Sequence, residues 1–238
     1  MSTTYFFRHG QAGQRDDYDR LSETGREQAR LLGEHLRREG LKFDRVVVGG
    51  LRRQRETAEI VLAELRAVGL EPGRVESDER WNEFDLDVVY AGIAPRMAAE
   101  DPAFKAAYEE IGRRIREGDG HIHRQWTPAD TQVVKAWIEG RYEMEGESWV
   151  EFVERVQAAG RELAGENGVK TAVFTSATPV SILVAGALGS RNPLHVMRLA
   201  GAAVNTNYTV IAWRDGEAHL GCFNAVPHLA EAGMRTFR

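Results

Sequence analysis

Apolar residues along this chain fall into two kinds of run. Three are short and rich in β-branched or aromatic residues: residues 3–7, 43–48 and 171–175. Such runs predict strands buried on both faces. The others repeat at helical spacing. Ala29, Leu32 and Leu36 make one stripe. Ala58, Val61, Leu62 and Leu65 make a second, and Trp149, Phe152, Val153, Val156 and Leu163 a third. Each is the apolar face of an amphipathic helix. A capping box at Thr24-Gly25-Arg26-Glu27 is expected to start the first helix. Residues 179–188 predict a helix entered through Thr178 as N-cap, with Pro179 at the first helical position. Residues 208–213 and 219–223 predict a strand pair around Asp215-Gly216. Strand, helix, strand, helix in this order argues for a parallel sheet covered on both faces, an α/β fold.

Residues 86–145 break the pattern. They are charged, carry Pro95, Pro102 and Pro128, and include Arg113-Arg114-Ile115-Arg116 and His121-Ile122-His123-Arg124. The expectation is one domain over residues 1–238 with a mostly helical insertion, a size that one core accommodates. No internal repeat is visible. The single cysteine, Cys222, excludes an internal disulfide framework, a thiolate-rich zinc cluster and Cys-x-x-Cys chemistry. With 31 Lys+Arg against 36 Asp+Glu, a net charge of −5, the composition gives no basic face for a dedicated nucleic-acid binder. No stretch reaches the ~20 apolar residues that span a bilayer. The N-terminus lacks a basic segment followed by a long apolar run. Together with the unpaired cysteine this leads to the expectation of a cytoplasmic protein with no membrane or nucleic-acid partner.

Ligands of open α/β sheets bind beyond the C-terminal ends of strands. Two strand ends therefore carry candidate chemistry: Arg8-His9-Gly10, and Thr175-Ser176-Ala177-Thr178-Pro179. A neutral imidazole beside an arginine can attack phosphorus. The guanidinium holds the phosphoryl oxygens, and its charge lowers the imidazole pKa. Gly10 lets the backbone approach a substrate or orient the ring through a carbonyl. By itself the tripeptide is weak, because a single histidine after a strand is more often structural.

Its context is specific. Tyr5-Phe6-Phe7-Arg8-His9-Gly10-Gln11 is followed by Leu21-Ser22-Glu23-Thr24-Gly25 leading to Gln28-Ala29. Leu51-Arg52-Arg53-Gln54-Arg55-Glu56-Thr57-Ala58, Trp81-Asn82-Glu83 and Gly146-Glu147-Ser148 come after it in order. This arrangement closely resembles the histidine phosphatase superfamily, with its phosphoglycerate-mutase-like fold. The resemblance covers most of the chain and leaves residues 86–145 largely unmatched. It implies a three-layer sandwich with a mostly parallel central sheet flanked by helices. It also implies a metal-independent phosphomonoester phosphatase without a cofactor. By that resemblance His9 is the phosphoryl-accepting nucleophile, Arg8 and Arg53 clamp the phosphate, and Glu83 is the general acid. Ser176 and Ala177 are further phosphate contacts, and Gln11 and Ser22 candidate substrate contacts. Arg52 and Arg55 are expected at the surface. The substrate is expected to be a small phosphorylated molecule or a phosphoprotein, and a homodimer stays open.

One departure matters. Where the family carries a second catalytic histidine in a Ser/Thr-His-Gly-Gly-like turn, this chain has Thr175-Ser176-Ala177-Thr178, which puts Ser176 at the histidine position. The expected compensation is a helix beginning at Thr178 with free N–H groups aimed at an anion. His195, His219 and His228 are expected to be structural or superficial. His121 and His123 are spaced for a metal on one strand face, or for a lid with the neighbouring arginines, although a solvated insertion is the plainer reading. Three functions follow: a phosphatase slowed or specialised by Ser176, a phospholigand-binding pseudoenzyme, and a mutase of the phosphoglycerate type. The last is disfavoured by Ala12 and Arg15, where the mutases have Ser and Asn, and by the Phe84-Asp85 continuation after Glu83. A lone cysteine without a motif also excludes the cysteine-nucleophile phosphatases.

Overall fold

The computed structural model describes residues 1–13, 19–117 and 126–237. Arg15, His121, His123 and Arg124 lie outside them. The chain divides into two compact units, one of Met1–Glu83 with Arg155–Arg238 and one of Phe84–Glu154.

The first unit is built on a six-stranded sheet. Its strands are β1 (Ser2–Arg8), β2 (Arg45–Val48), β3 (Arg74–Ser77), β4 (Lys170–Thr175), β5 (Tyr208–Arg214) and β6 (Glu217–Ala225), in the spatial order β3-β2-β4-β1-β5-β6. Strands β3, β2, β4 and β1 pair in parallel, while β5 runs antiparallel to both β1 and β6. The register explains the apolar residues at successive positions of these strands. Phe7 aligns with Phe174, and Phe174 with Val48, on one face; Phe6, Val173 and Val47 align on the other. Both faces are covered, so neither half of the alternation can be polar. Helices α1 (Glu23–Arg38) and α2 (Arg52–Arg66) bury Leu32, Leu36, Val61 and Leu65 against Phe7, Phe43 and Phe174. The Phe7 and Phe174 rings stack at 5.0 Å. On the opposite face Phe6 meets Trp81 at 5.5 Å. Gly160 of α6 (Trp149–Gly165) leaves room there for Leu183 of α7 (Ala177–Ala187). The expected α/β architecture is therefore present, a mostly parallel sheet between helical layers.

Topology places the cleft. From β1 the chain crosses β4 to reach β2, and from β4 it crosses β1 to reach β5. The two connections leave in opposite directions, so a crevice opens at the C-terminal ends of β1 and β4.

The capping box at Thr24 does not form the start of α1. Ser22 is the N-cap: it is extended (φ −69°, ψ 169°), and its Oγ accepts from the Gly25 N–H at 3.0 Å. Its own N–H donates to the Gln11 carbonyl at 2.9 Å, so tertiary contact starts the helix ahead of the local signal. Two elements had no sequence prediction. Strand β3 is an exposed edge without apolar alternation. Helix α8 (Pro193–Ala202) is short and buries only Val196.

The second unit is helical: α3 (Leu86–Glu100), α4 (Pro102–Arg116) and α5 (Pro128–Ile138), with the start of α6. Thr127 and Asp130 form a capping box around Pro128, the first residue of α5. Phe84, Trp137, Trp149 and Phe152 make an aromatic cluster, Phe84 and Trp137 lying 4.8 Å apart. Among the described residues no helix is long and apolar enough to cross a membrane.

Candidate active site

His9 follows the last residue of β1 and is buried. Its main chain is held from both sides. Its N–H donates to the Thr175 carbonyl of β4 at 3.0 Å. Its carbonyl accepts from Asn205 Nδ2 and from the Thr206 N–H, both at 3.2 Å. The ring is oriented by the Gly10 carbonyl, 2.7 Å from Nδ1. A carbonyl can only accept, so Nδ1 carries the hydrogen and Nε2 presents its lone pair. That assignment agrees with Arg53, whose Nε–H donates to Nε2 at 3.2 Å. Burial, and then the charges of Arg53 and Arg8, hold the ring well below the usual histidine pKa, while the Gly10 carbonyl pulls the other way. His9 is a neutral imidazole between two guanidinium groups.

Two glycines make this loop possible. A Cβ on Gly10 would run into the Gly25 backbone, and a Cβ on Gly25 into the Gln11 backbone. The first turn of α1 thereby lies directly on the loop carrying His9. Thr57 of α2 adds a further tie. Its hydroxyl accepts from the Gly10 N–H at 3.0 Å and donates to the Arg53 carbonyl at 2.7 Å.

Arg8 and Arg53 are both buried beside His9. The Arg8 guanidinium donates to the main-chain carbonyls of Ala203 and Phe237, the latter at 2.7 Å. Arg53 reaches His9 through Nε and the Asp19 carboxylate through Nη1, at 2.7 Å. Arg52 and Arg55, by contrast, are exposed as expected.

The end of β4 is built differently. Helix α7 begins at Ala177, two residues before the expected start, so Ser176 is the N-cap and Thr178 the second helical residue. Pro179 is tolerated at the third position because its missing N–H is one the helix leaves unpaired anyway. The expectation of Thr178 as N-cap is corrected. So is the idea that its N–H is spare, because that N–H donates to Glu83 Oε2 at 3.1 Å. Ser176 is fully buried, and Gln54 Nε2 donates to its Oγ at 2.9 Å. Gln54 also donates to the Trp81 carbonyl at 3.2 Å, which Thr175 Oγ1 reaches at 2.6 Å. Glu83 is thereby tied to the β4 end of the crevice. It follows Trp81-Asn82, whose carbonyls and side chain are bonded to Gln54, Thr175, Arg155 and the Gly50 N–H.

The remaining predicted positions fall as follows. Gln11 and Ser22 meet each other, the Ser22 hydroxyl donating to Gln11 Oε1 at 2.9 Å. His195 and His219 are exposed. His228 is buried against Thr206 and stacked near His35, and burial pushes its pKa down to about 3. Among the described residues no group of three or more His, Cys, Asp or Glu side chains is placed to hold a metal.

A family model of the histidine phosphatase superfamily (branch 1) matches residues 4–120 and 115–226. The chain belongs to that superfamily. Solved structures share its fold. Bacillus stearothermophilus YhfR superposes with a TM-score of 0.63 at 22% identity, covering 96% of this chain and 100% of the other. Phosphoserine phosphatase from Entamoeba histolytica, solved with 3-phosphoglyceric acid, gives 0.61 at 18% identity and covers 96% and 100%. The alpha-ribazole phosphatase of Shigella flexneri gives 0.59 at 18%, covering 94% and 96%. Among curated proteins, the mitochondrial serine/threonine-protein phosphatase Pgam5 of Drosophila willistoni is 43% identical over 61 residues. That match spans 24% of this chain and 21% of the relative's length.

In this member of the superfamily several positioning residues escaped the sequence reading. Asp19, Gln54, Thr57, Asn205 and Thr206 all touch the proposed machinery or its backbone. A signal existed for two of them. Asn205-Thr206-Asn207 is a polar triplet just before β5, and all three residues are buried. Thr206 holds a positive φ of 56°, costly for a β-branched residue and maintained here by its bonds to His9 and His228.

Proposed function

We propose that this histidine phosphatase hydrolyses phosphomonoesters through a phosphohistidine on His9. The observation that carries the reading is the ring itself: neutral, buried, its lone pair on Nε2, with an arginine Nε–H 3.2 Å away. Nε2 attacks phosphorus and the ester P–O bond breaks. Glu83 gives its proton to the departing alcohol. It then takes a proton from the water that attacks the phosphohistidine, releasing phosphate and restoring the imidazole. Arg53 turns its N–H groups from the Nε2 lone pair to the phosphoryl oxygens, and Arg8 supplies the second positive charge. Ser176 stands in the place of the family's second histidine. Gln54 donates into its Oγ, so the serine's own hydrogen is the one offered to a phosphoryl oxygen. The Ala177 N–H, at the start of α7, is the other donor of that strand end. Gln11, held by Ser22, contacts the alcohol portion. No cofactor enters the scheme.

The substrate is a small phosphorylated molecule or a phosphoprotein. The short match to a serine/threonine-protein phosphatase keeps the second among the candidates. Residues 86–145 are read as an insertion on the family framework, the protein as cytoplasmic, and a homodimer as open. The test is phosphate release from a panel of sugar, amino-acid, nucleotide and protein phosphoesters, with trapping of an acid-labile phosphoryl group on His9. Release by the native chain and loss of both signals in His9→Ala is the expected result. No release from any ester together with no label on His9 would overturn it.

Ser176 motivates one other reading, a protein that binds phosphoesters without turning them over. It requires that binding survive His9→Ala and that turnover sit at background before and after the substitution.

A further inference from the structure

Besides the neutral His9 ring, Arg53 has a charged neighbour that the reaction scheme does not use. Asp19 Oδ1 accepts from Arg53 Nη1 at 2.7 Å, and Asp19 Oδ2 accepts from the Arg52 N–H, the first amide of α2, at 2.9 Å. Resting on the phosphatase reading above, we infer that Asp19 determines substrate specificity. It favours phosphomonoesters whose alcohol part is neutral or cationic over those that carry a second negative charge.

The carboxylate is held where it is. The chain just after it is locked to the loop carrying His9: the Gly13 N–H donates to the Arg20 carbonyl at 2.7 Å, Ser22 to Gln11 at 2.9 Å, and Ala12 bridges Leu21. From the other side, the Leu21 N–H donates to Glu56 Oε2 at 2.9 Å, and Glu56 is itself paired with Arg52 and Arg26. Both Asp19 oxygens are engaged, one by a charged donor and one by a helix N-terminus. A substrate phosphoryl group at His9 Nε2 therefore shares a single guanidinium with a fixed carboxylate. Nε serves the reacting side and Nη1 the Asp19 side. The Asp19 side chain is 47% exposed, so the alcohol part of a substrate can approach it. A carboxylate on the carbon next to the phosphoester then meets a like charge, and an ammonium there meets an opposite one. At the edge of a protein this difference is worth a few-fold in affinity. Specificity here comes from a repulsive element as much as from the clamp.

The experiment is calorimetric titration of the full chain with 2-aminoethyl phosphate, phosphoglycolate and inorganic phosphate, in the native protein and in Asp19→Asn. Aminoethyl phosphate and phosphoglycolate have nearly the same size and opposite substituent charge. The quantity read is the ratio of their Kd values. Asp19→Asn is expected to shift that ratio about 5-fold toward phosphoglycolate, with Asp19→Ser as a second variant giving the same direction. A ratio that moves less than twofold, or in the other direction, overturns the role of Asp19. Equal tightening of all three ligands also overturns it, because it would make Asp19 a general competitor and not a discriminator. If inorganic phosphate binds while the ratio stays put, only the Asp19 inference falls. If none of the three binds, the phosphate site falls and takes the inference with it.

Discussion

The ends of β1 and β4 are neighbours in the sheet, with Arg8 opposite Thr175, yet they are built by different means. At β1 the strand breaks into a loop. Two glycines let that loop lie against α1, and His9 is held at both of its main-chain polar groups and through its ring. At β4 the strand runs straight into α7, so the first residues beyond it contribute a short hydroxyl and helix amides. A loop can aim one long side chain with a chosen tautomer. A strand-to-helix junction supplies donors that belong to the backbone and survive substitution of the side chain. The serine at position 176 is read in this light. It caps the first turn of α7, whose Thr178 N–H donates to Glu83, whereas at His9 the imidazole itself is the group the loop presents.

The sharpest way to break this comparison is to remove each side chain. His9→Ala is expected to lower kcat by roughly 10⁴-fold or more, since no nucleophile remains. Glu83→Gln is expected to cost roughly 10²–10⁴-fold with alkyl phosphates and much less with p-nitrophenyl phosphate, whose leaving group needs no proton. Ser176→Ala removes one neutral donor, and kcat/KM is expected to fall about 10-fold at most. Steady-state kinetics on purified protein measures all three. A loss in Ser176→Ala as large as in His9→Ala would refute the asymmetry between the strand ends.

The smallest effect is one of pH. Buried neutral, His9 has a pKa in the folded chain well below its unfolded value near 6.5. Below pH 6.5 the unfolded chain binds a proton that the folded chain refuses, so stability is full above that pH and declines as pH falls toward the folded-state value. His228, held down to about 3, acts in the same direction. Denaturant unfolding between pH 7 and pH 5 is expected to show this decline. His9→Gln should flatten it by no more than about 1.4 kcal/mol per pH unit, the limit for one proton. Ser176→Ala should leave the slope unchanged.

Much of the sheet was legible because its signal is local. The runs around Phe6-Phe7, Val46-Val47-Val48 and Val173-Phe174 announce buried strands, and the registered pairs show why neither face tolerates polar residues. Strand β3 gave no such signal, because an exposed edge requires no apolar alternation. Both misjudged helix starts have one cause. Local caps at Thr24 and Thr178 are good signals, but Ser22 and Ser176 sit on chain already placed by Gln11 and by β4, and the helices begin there.

What the sequence by itself determined is the inventory: a parallel α/β sheet, an Arg-His-Gly strand end, the arginine on α2, Glu83, and a serine at position 176. These depend on residue type and short spacing, and a single chain displays both. Only the tertiary structure decided how the inventory is wired. The Nδ1 hydrogen of His9 is assigned by where the Gly10 carbonyl turns. The Ser176 hydroxyl is committed by Gln54, 122 residues away in the chain, and one face of Arg53 by Asp19, 34 residues away. Hydrogen-bond partners and fixed charges act over a few ångströms of space and carry no trace in the order of the residues. For that reason the candidate nucleophile was readable from the sequence, and the carboxylate beside its clamp was not.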